Sequence, residues 1–395
     1  MTLAHGRTHL AIPGPSIMPD RVLRAMHRAA PNIYAGELVD MVPTIVRDLK
    51  AVARTEGDVA FYICNGHGTW EASLANVLSR GDKVLVLATG RFGHGWGECA
   101  RQMGVETDVL EFGTSPVDPA RVEEALRADT AHAYRAVLSV QVDTATSVLS
   151  DIKAIRAAID AAGHPALLMA DCIACLAVDR LEMDAWGVDV VITGSQKGLM
   201  TPPGMGFVFL SAKAEAARER ADLATMYWDW RPRIRPAGFY QYFNGTAPTH
   251  HLYGLREALD MIVHEEGIEA VWARHEVLSE AVWAAVDRWA EGGALRPVVA
   301  DRAARARSVT TIDFDRAEEL RSWCETKAGL TLGIGLSRPD EPKVPMRFRI
   351  GHMGHVSAHS LLGTLATVEA GLRAIGAPIG DGAVDAAAAV VAERA

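Results

Sequence analysis

The middle of the chain alternates between two hydrophobic rhythms. Short apolar runs recur at VAFYIC (59–64), KVLVLAT (83–89), TDVLEF (107–112), AVLSVQ (136–141), ALLMAD (166–171), VDVVITG (188–194) and GFVFLS (206–211). They are near-continuous rather than alternating, which is the pattern of strands covered on both faces. Between them, 93–103, 118–128 and 151–162 carry helical periodicity. The stretch VDPARVEEALR offers Asp118 as an N-cap and Pro119 in the first helical turn. Strands separated by helices predict an α/β fold with a mostly parallel sheet between helical layers.

The rhythm changes after about residue 255. Helical periodicity dominates 250–264 and 268–291. The strand-like VTTIDF (309–314) and FRIG (348–351) then alternate with helical patterns at 316–328 and 358–374, and an Ala-rich tail reads as a terminal helix. This predicts an N-terminal segment over 1–20, a large domain over 21–255 and a smaller C-terminal α+β domain over 256–395. No Gly/Pro-rich linker marks the joint, so a long helix is expected to join the two parts.

Composition narrows the class. With 395 residues, 49% hydrophobic and 23% charged, the chain can bury a large core, and disorder is excluded for most of it. A net charge of −9 without any Lys/Arg-rich run argues against a nucleic-acid partner. No apolar run approaches ~18 residues, so no membrane-spanning helix is expected. The opening MTLAHGRTHLAIPGP lacks the apolar core of a signal peptide, which predicts a cytoplasmic protein. Five cysteines are no disulfide framework. Cys172 and Cys175 form a CxxC inside the apolar CIACLAV, without the second pair a zinc site needs, so they read as buried thiols and no metal is expected.

One pair of residues carries the chemistry. Asp171 ends one strand, and Lys197 follows another in GSQKGLMTPPG. In a parallel sheet both strand ends reach the same edge, where ligands bind. A surface ion pair is the plainer reading, worth ~0–1 kcal/mol. The small and apolar neighbours Gly194, Ser195, Gly198, Leu199 and Met200 argue instead for a desolvated amine. Such an amine is a nucleophile near neutral pH and suits a Schiff base with an aldehyde. Upstream, NGHGTWEA (65–72) puts Gly66 and Gly68 before a helix expected to start near Thr69, a weak phosphate-cradle signal. It matches neither a Walker loop nor a dinucleotide fingerprint. Arg349, in MRFRIGHMG, could hold a carboxylate through its fork, but Arg347 shares its face and the sequence does not choose between them. Phe92, after a strand, suits either core packing or stacking on a flat heterocycle.

Taken in order, Asp171, Ser195-Gln196-Lys197 with Pro202-Pro203-Gly204, NGHGTWEA and RIGHMG resemble the class V aminotransferases, above all the serine–glyoxylate and alanine–glyoxylate branch. The resemblance runs from IPGPS (12–16) to RIGHMG. It implies the pyridoxal-phosphate fold of type I, with a seven-stranded-type sheet in the large domain, and a homodimer with shared active sites. By resemblance Lys197 would carry pyridoxal 5'-phosphate and shuttle a proton, and Asp171 would partner the pyridine nitrogen. Phe92 and Ile173 would sandwich the ring, and Thr144 would bond its phenolic oxygen. Gly68, Thr69 and Gln196 would hold the phosphate, joined by Thr246 from the second subunit. Arg349 would bind the substrate carboxylate, with Gly14 and Tyr34 walling a small pocket.

The chain departs from its look-alikes at Ala174-Cys175, where Ser-Ser is usual, and at Phe243, where tyrosine is usual. The implied reaction moves an amino group from a small amino acid such as serine or alanine to glyoxylate or pyruvate, in two half-reactions. Pyridoxamine–pyruvate aminotransferases are an alternative, but they carry an arginine where this chain has Ile334. Cysteine desulfurases are another, but they usually have His where this chain has Gln196. They also need a mobile nucleophile, whereas Cys324 sits in the helical pattern LRSWCETK. A degenerate, non-enzymatic binding module would be favoured by loss of Lys197 or Asp171, and both are present.

Overall fold

The computed structural model describes residues 1–337 and 346–395. Seven strands lie side by side in the order Asp58–Tyr62, Gly206–Leu210, Val190–Gly194, Leu167–Asp171, Tyr134–Val140, Lys83–Ala88 and Glu106–Glu111. All neighbours run parallel except Gly206–Leu210, which is antiparallel to both strands beside it.

The apolar runs read as strands because alternate side chains enter two different cores. In Lys83–Ala88, Leu85 and Leu87 point into one layer with Leu49 and Ile155. Val84 and Val86 point into the other with Trp70, Leu74 and Trp96. The first layer is completed by the helix Glu37–Ala53, which buries Leu38, Val42, Ile45 and Leu49. That helix, with Pro43 inside it, lies outside the helical stretches expected from the sequence.

The C-terminal part forms a five-stranded sheet in the order His9–Ala11, Leu330–Ile334, Arg347–Gly351, Val309–Phe314 and Leu295–Pro297. Its outer strand comes from the N-terminal segment and pairs parallel with Leu330–Ile334. Residues 1–20 therefore bridge the two sheets: Leu10 pairs with Thr331, and the Ser16 N–H donates to the Gln196 carbonyl at 2.9 Å. Two helical segments in succession, rather than one long helix, join the parts: Thr249–Leu259 with a π turn at Asp260–Glu266, then, after a break at Gly267 (φ +83°), Ile268–Ala290. Along that last helix Val271 and Trp272 pack on the large core, while Leu278, Ala281 and Val282 pack on the small one.

Candidate active site

The carboxyl ends of Leu167–Asp171 and Val190–Gly194 open onto a cavity of about 280 Å³. Asp171, Lys197, Phe92, Thr144, Ile173 and Gln196 line it together, so six of the residues singled out above meet there.

Asp171 is buried and held by two donors. The Ile173 N–H reaches Oδ1 at 2.8 Å, and the Trp70 indole N–H reaches Oδ2 at 2.7 Å. Burial pushes its carboxyl up to about 6 against those donors; the Asp143 charge adds to the rise, and Lys197 opposes it. The acid therefore stays mostly ionised at neutral pH.

Lys197 sits in a tight loop. Ser195 Oγ donates to the Pro202 carbonyl at 2.6 Å, and Ser16 Oγ donates to the Lys197 carbonyl at 2.7 Å. A Cβ on Gly198 would lie 2.1 Å from the Leu176 carbonyl oxygen, so only glycine fits there. The ammonium donates to the Pro13 carbonyl. Gly14, with φ +102°, brings its backbone so close that a Cβ would lie 2.5 Å from Lys197 Nζ. Burial lowers the amine to about 8; the Arg349 charge presses it further down, and Asp171 opposes.

A titration follows from that shift. The neutral, nucleophilic fraction grows as pH rises through about 8 instead of the ordinary 10.5. At pH 7 that makes roughly 300-fold more free amine than in an unperturbed lysine. Reductive alkylation of the cofactor-free protein with a small aldehyde, followed by peptide mapping, should give a rate–pH midpoint near 8 for Lys197. A midpoint above 10 would contradict the desolvation.

Arg349 stands at the edge of the cavity. Nε donates to the Ile334 carbonyl at 2.6 Å and Nη1 to the Thr144 carbonyl at 2.9 Å. The rest of the fork has no partner among the described residues. Burial lowers the guanidinium to about 10, with Asp143 raising it and Arg321 lowering it. Arg347, by contrast, is tied to Asp313 at 2.7 Å. Of the two arginines, Arg349 is the one bonded to a residue that lines the cavity, Thr144.

The glycine loop differs from expectation. The helix starts at Gly66, not near Thr69, because the Asn65 side chain caps it by accepting from the His67 and Gly68 N–H groups at 3.1 and 3.3 Å. Asn65, Gly66 and His67 therefore line the cavity. Gly68 packs inward, where a Cβ would lie 2.5 Å from that of Cys64. Thr69 is buried, with its hydroxyl on the Gly66 carbonyl at 2.7 Å. Gly66 has its own reason to lack a side chain, since a Cβ would meet Ile173 Cδ1 at 2.6 Å. The cue was Asn followed by Gly, an N-cap signature outweighed by the glycine count.

Two further residues lie away from this cavity within the chain. Tyr34 is 88% exposed, and Thr246 is also exposed. Trp70 and Asp143 are the residues that motif reasoning passed over. Asp143 accepts from the Phe92, Gly93 and Ala145 N–H groups at 2.8, 3.2 and 3.0 Å, fixing Phe92 and the Thr144 turn together. Cys324 is buried, with its thiol pushed up to about 12 by burial, the opposite of a mobile nucleophile. Cys172 and Cys175 are buried free thiols, each about 3.2 Å from Gln141 Oε1.

A family model, Aminotransferase class-V, matches residues 53–333. The chain belongs to the class V aminotransferases. It is 41% identical over 397 residues to a serine–glyoxylate aminotransferase of Methylorubrum extorquens, covering 97% of this chain and 95% of the relative. It is 36% identical to an L-aspartate–glyoxylate aminotransferase of Paracoccus denitrificans, covering 95% of this chain and 94% of that one. The crystal structure of ureidoglycine–glyoxylate aminotransferase from Bacillus subtilis superposes with a TM-score of 0.84 at 26% identity, covering 99% of each chain. The fold is thus that of the type I pyridoxal-phosphate enzymes, and this class V aminotransferase is an amino-group transferase. Among the described residues no helix is long and apolar enough to cross a membrane.

Proposed function

We propose that this class V aminotransferase uses pyridoxal 5'-phosphate to move an amino group from a small amino acid, such as serine or alanine, to glyoxylate or pyruvate. One observation carries the reading: a lowered-pKa lysine and a buried, doubly held carboxylate share one flat-walled cavity. The residues fit the cofactor. Phe92 and Ile173 supply apolar walls for a ring. Asp171 supplies an anion for a heteroaromatic nitrogen. Gln196 lines the cavity with its amide oxygen buried and without a partner among the described residues, and the amide, whose O and N positions are interchangeable, can present a donor. When bound, the cofactor supplies an electron sink that stabilises charge left on the substrate's Cα.

The protein's own groups do the rest. Lys197 Nζ is the covalent anchor and then the base that takes and returns the Cα proton; with a pKa about 8 it can do both near neutral pH. Asp171 keeps the ring nitrogen protonated. Thr144 bonds the phenolic oxygen. Gln196 holds the phosphate with the helix start at Asn65–His67, which Gly68 and Thr69 continue. Arg349 offers its unused N–H groups to the substrate carboxylate, and that contact orients the Cα–H bond. Gly14 and Lys197 close one side of a small substrate space. The exposed Thr246 is free to reach the phosphate of a second copy, and Tyr34 the substrate space of one, in a homodimer. The segment 1–20 straps the large unit (21–255) to the small one (256–395).

Arg349→Ala should raise KM for donor and acceptor alike by about 10- to 100-fold, the worth of a hydrogen bond to a charged group, with a smaller change in kcat. A fall in kcat with KM unchanged for both would sink the carboxylate role. The donor assignment is tested by adding single amino acids to the loaded enzyme and following the cofactor's absorbance, then repeating with glyoxylate, pyruvate and oxaloacetate. Bleaching by serine or alanine and recovery with glyoxylate or pyruvate is expected. Response to cysteine with sulfide release, and to no other donor, would overturn it.

A further inference from the structure

Trp70 is the unclaimed neighbour of the acid. It is 3% exposed and sits one turn into the helix that Asn65 caps. Its ring has one available position: His67 lies edge-on with centroids 4.6 Å apart, Phe92 closes another side at 6.3 Å, and a Cβ on Gly95 would stand 3.0 Å from its Cη2. Gly95 is therefore as much a condition for the indole's placement as the helix is. From that position the indole N–H meets Asp171 Oδ2 at 2.7 Å.

The contact is selective. Trp96, Trp230, Trp272 and Trp283 leave their indole nitrogens buried without a partner among the described residues. A fold that tolerates four orphaned indole donors gives this one to a buried carboxylate. Oδ1 is already taken by the Ile173 N–H, so the Trp70 bond fixes the remaining oxygen and with it the plane of the carboxyl group. Trp70, with His67 and Phe92, lines both the 280 Å³ cavity and a larger outer cleft of about 560 Å³ whose lining includes Arg91, Arg101, Glu71 and Glu98. The indole thus stands between the acid and that charged cleft.

We infer that Trp70 is a positioning residue for this enzyme, holding Asp171 through its indole N–H in the orientation and ionised state that keep a proton on the cofactor's ring nitrogen. The inference rests on the proposed role of Asp171. The direction follows from hydrogen-bond physics. A donor to the charged form of an acid favours that form, so its removal makes the carboxyl a stronger proton competitor. The shared proton then shifts from nitrogen toward oxygen.

The test compares wild type, Trp70→Phe, a variant carrying 3-benzothienylalanine at position 70, and Asp171→Asn. Benzothienylalanine keeps the bicyclic shape and replaces N–H by sulfur, so it separates the lost donor from lost packing. Each protein is loaded with pyridoxal 5'-phosphate labelled with nitrogen-15 in the ring, and the nitrogen shift is followed against pH alongside cofactor affinity and thermal unfolding. Both Trp70 variants should move the nitrogen shift at pH 7 toward its unprotonated value, as proton population passes to the carboxyl, with cofactor bound roughly 10-fold more weakly, as expected for losing a bond to a charged group. The benzothienylalanine protein, which keeps the ring packing, should unfold at a temperature no lower than Trp70→Phe. If Asp171→Asn moves the nitrogen titration and neither Trp70 variant does, Trp70 is packing alone and the inference fails while the Asp171 role stands. If Asp171→Asn leaves the titration unchanged, the role of Asp171 fails, and the inference with it.

Discussion

Lys197→Ala should lose transamination by about four orders of magnitude or more, while unfolding at close to the wild-type temperature. Two losses combine there. The amine that anchors the cofactor is gone, and so is the base that moves the Cα proton, which alone is worth about 10²–10⁴-fold. Stability should change little, because the ammonium's burial is itself unfavourable and its hydrogen-bond partner among the described residues is a single carbonyl, that of Pro13. Removing a poorly solvated charge offsets the loss of that bond. Steady-state assays with serine and glyoxylate, paired with a thermal melt, check both halves. Activity within tenfold of wild type would mean that another group performs the proton transfer.

Asp171→Ala should have the second largest effect, a fall in kcat of about 10²–10⁴-fold. Stripping a buried charge of its partner costs about 3–5 kcal/mol, which is roughly 10²–10⁴-fold when expressed in the reaction. Here the pH dependence gives a sharper check than the magnitude. The Asp171 carboxyl is raised to about 6, so it is ionised above that pH and loses its charge as pH falls through it. In the cofactor-free protein an infrared carboxyl band that titrates near pH 6 should therefore be present in wild type and absent from Asp171→Ala. A titrating band unchanged in the variant would assign it to some other group.

Much of this architecture was legible in the chain because burial on both faces leaves a strong signature. Leu85 and Leu87 against Val84 and Val86 show why: neither face of that strand can be polar. Strand direction leaves no such mark. Gly206–Leu210 is as apolar as its parallel neighbours, so its antiparallel course was not readable from composition. The strand His9–Ala11 leaves no mark because three residues carry no usable period, and it belongs to a sheet whose other strands begin only at Leu295.

The site divides in the same way. Asp171 and Lys197 could be brought together on paper because strand ends in a parallel sheet share an edge. Trp70 could not, since its bond to Asp171 spans 101 positions and nothing local distinguishes it from the other core tryptophans. The start of the glycine loop was misjudged by three residues because a capping asparagine and two glycines compete for the same signal. Arg347 and Arg349 share a face in sequence, and their contacts tell them apart: Asp313 for the one, the carbonyls of Ile334 and Thr144 for the other.

The covalent anchor is the point on which the chemistry turns. Reduction of the pyridoxal 5'-phosphate-loaded protein with borohydride, followed by digestion and mass mapping, should fix one pyridoxyl group per chain on the peptide that spans 194–200, at Lys197. A stable label on a different lysine, or no label under conditions where the protein binds the cofactor, would contradict the assignment.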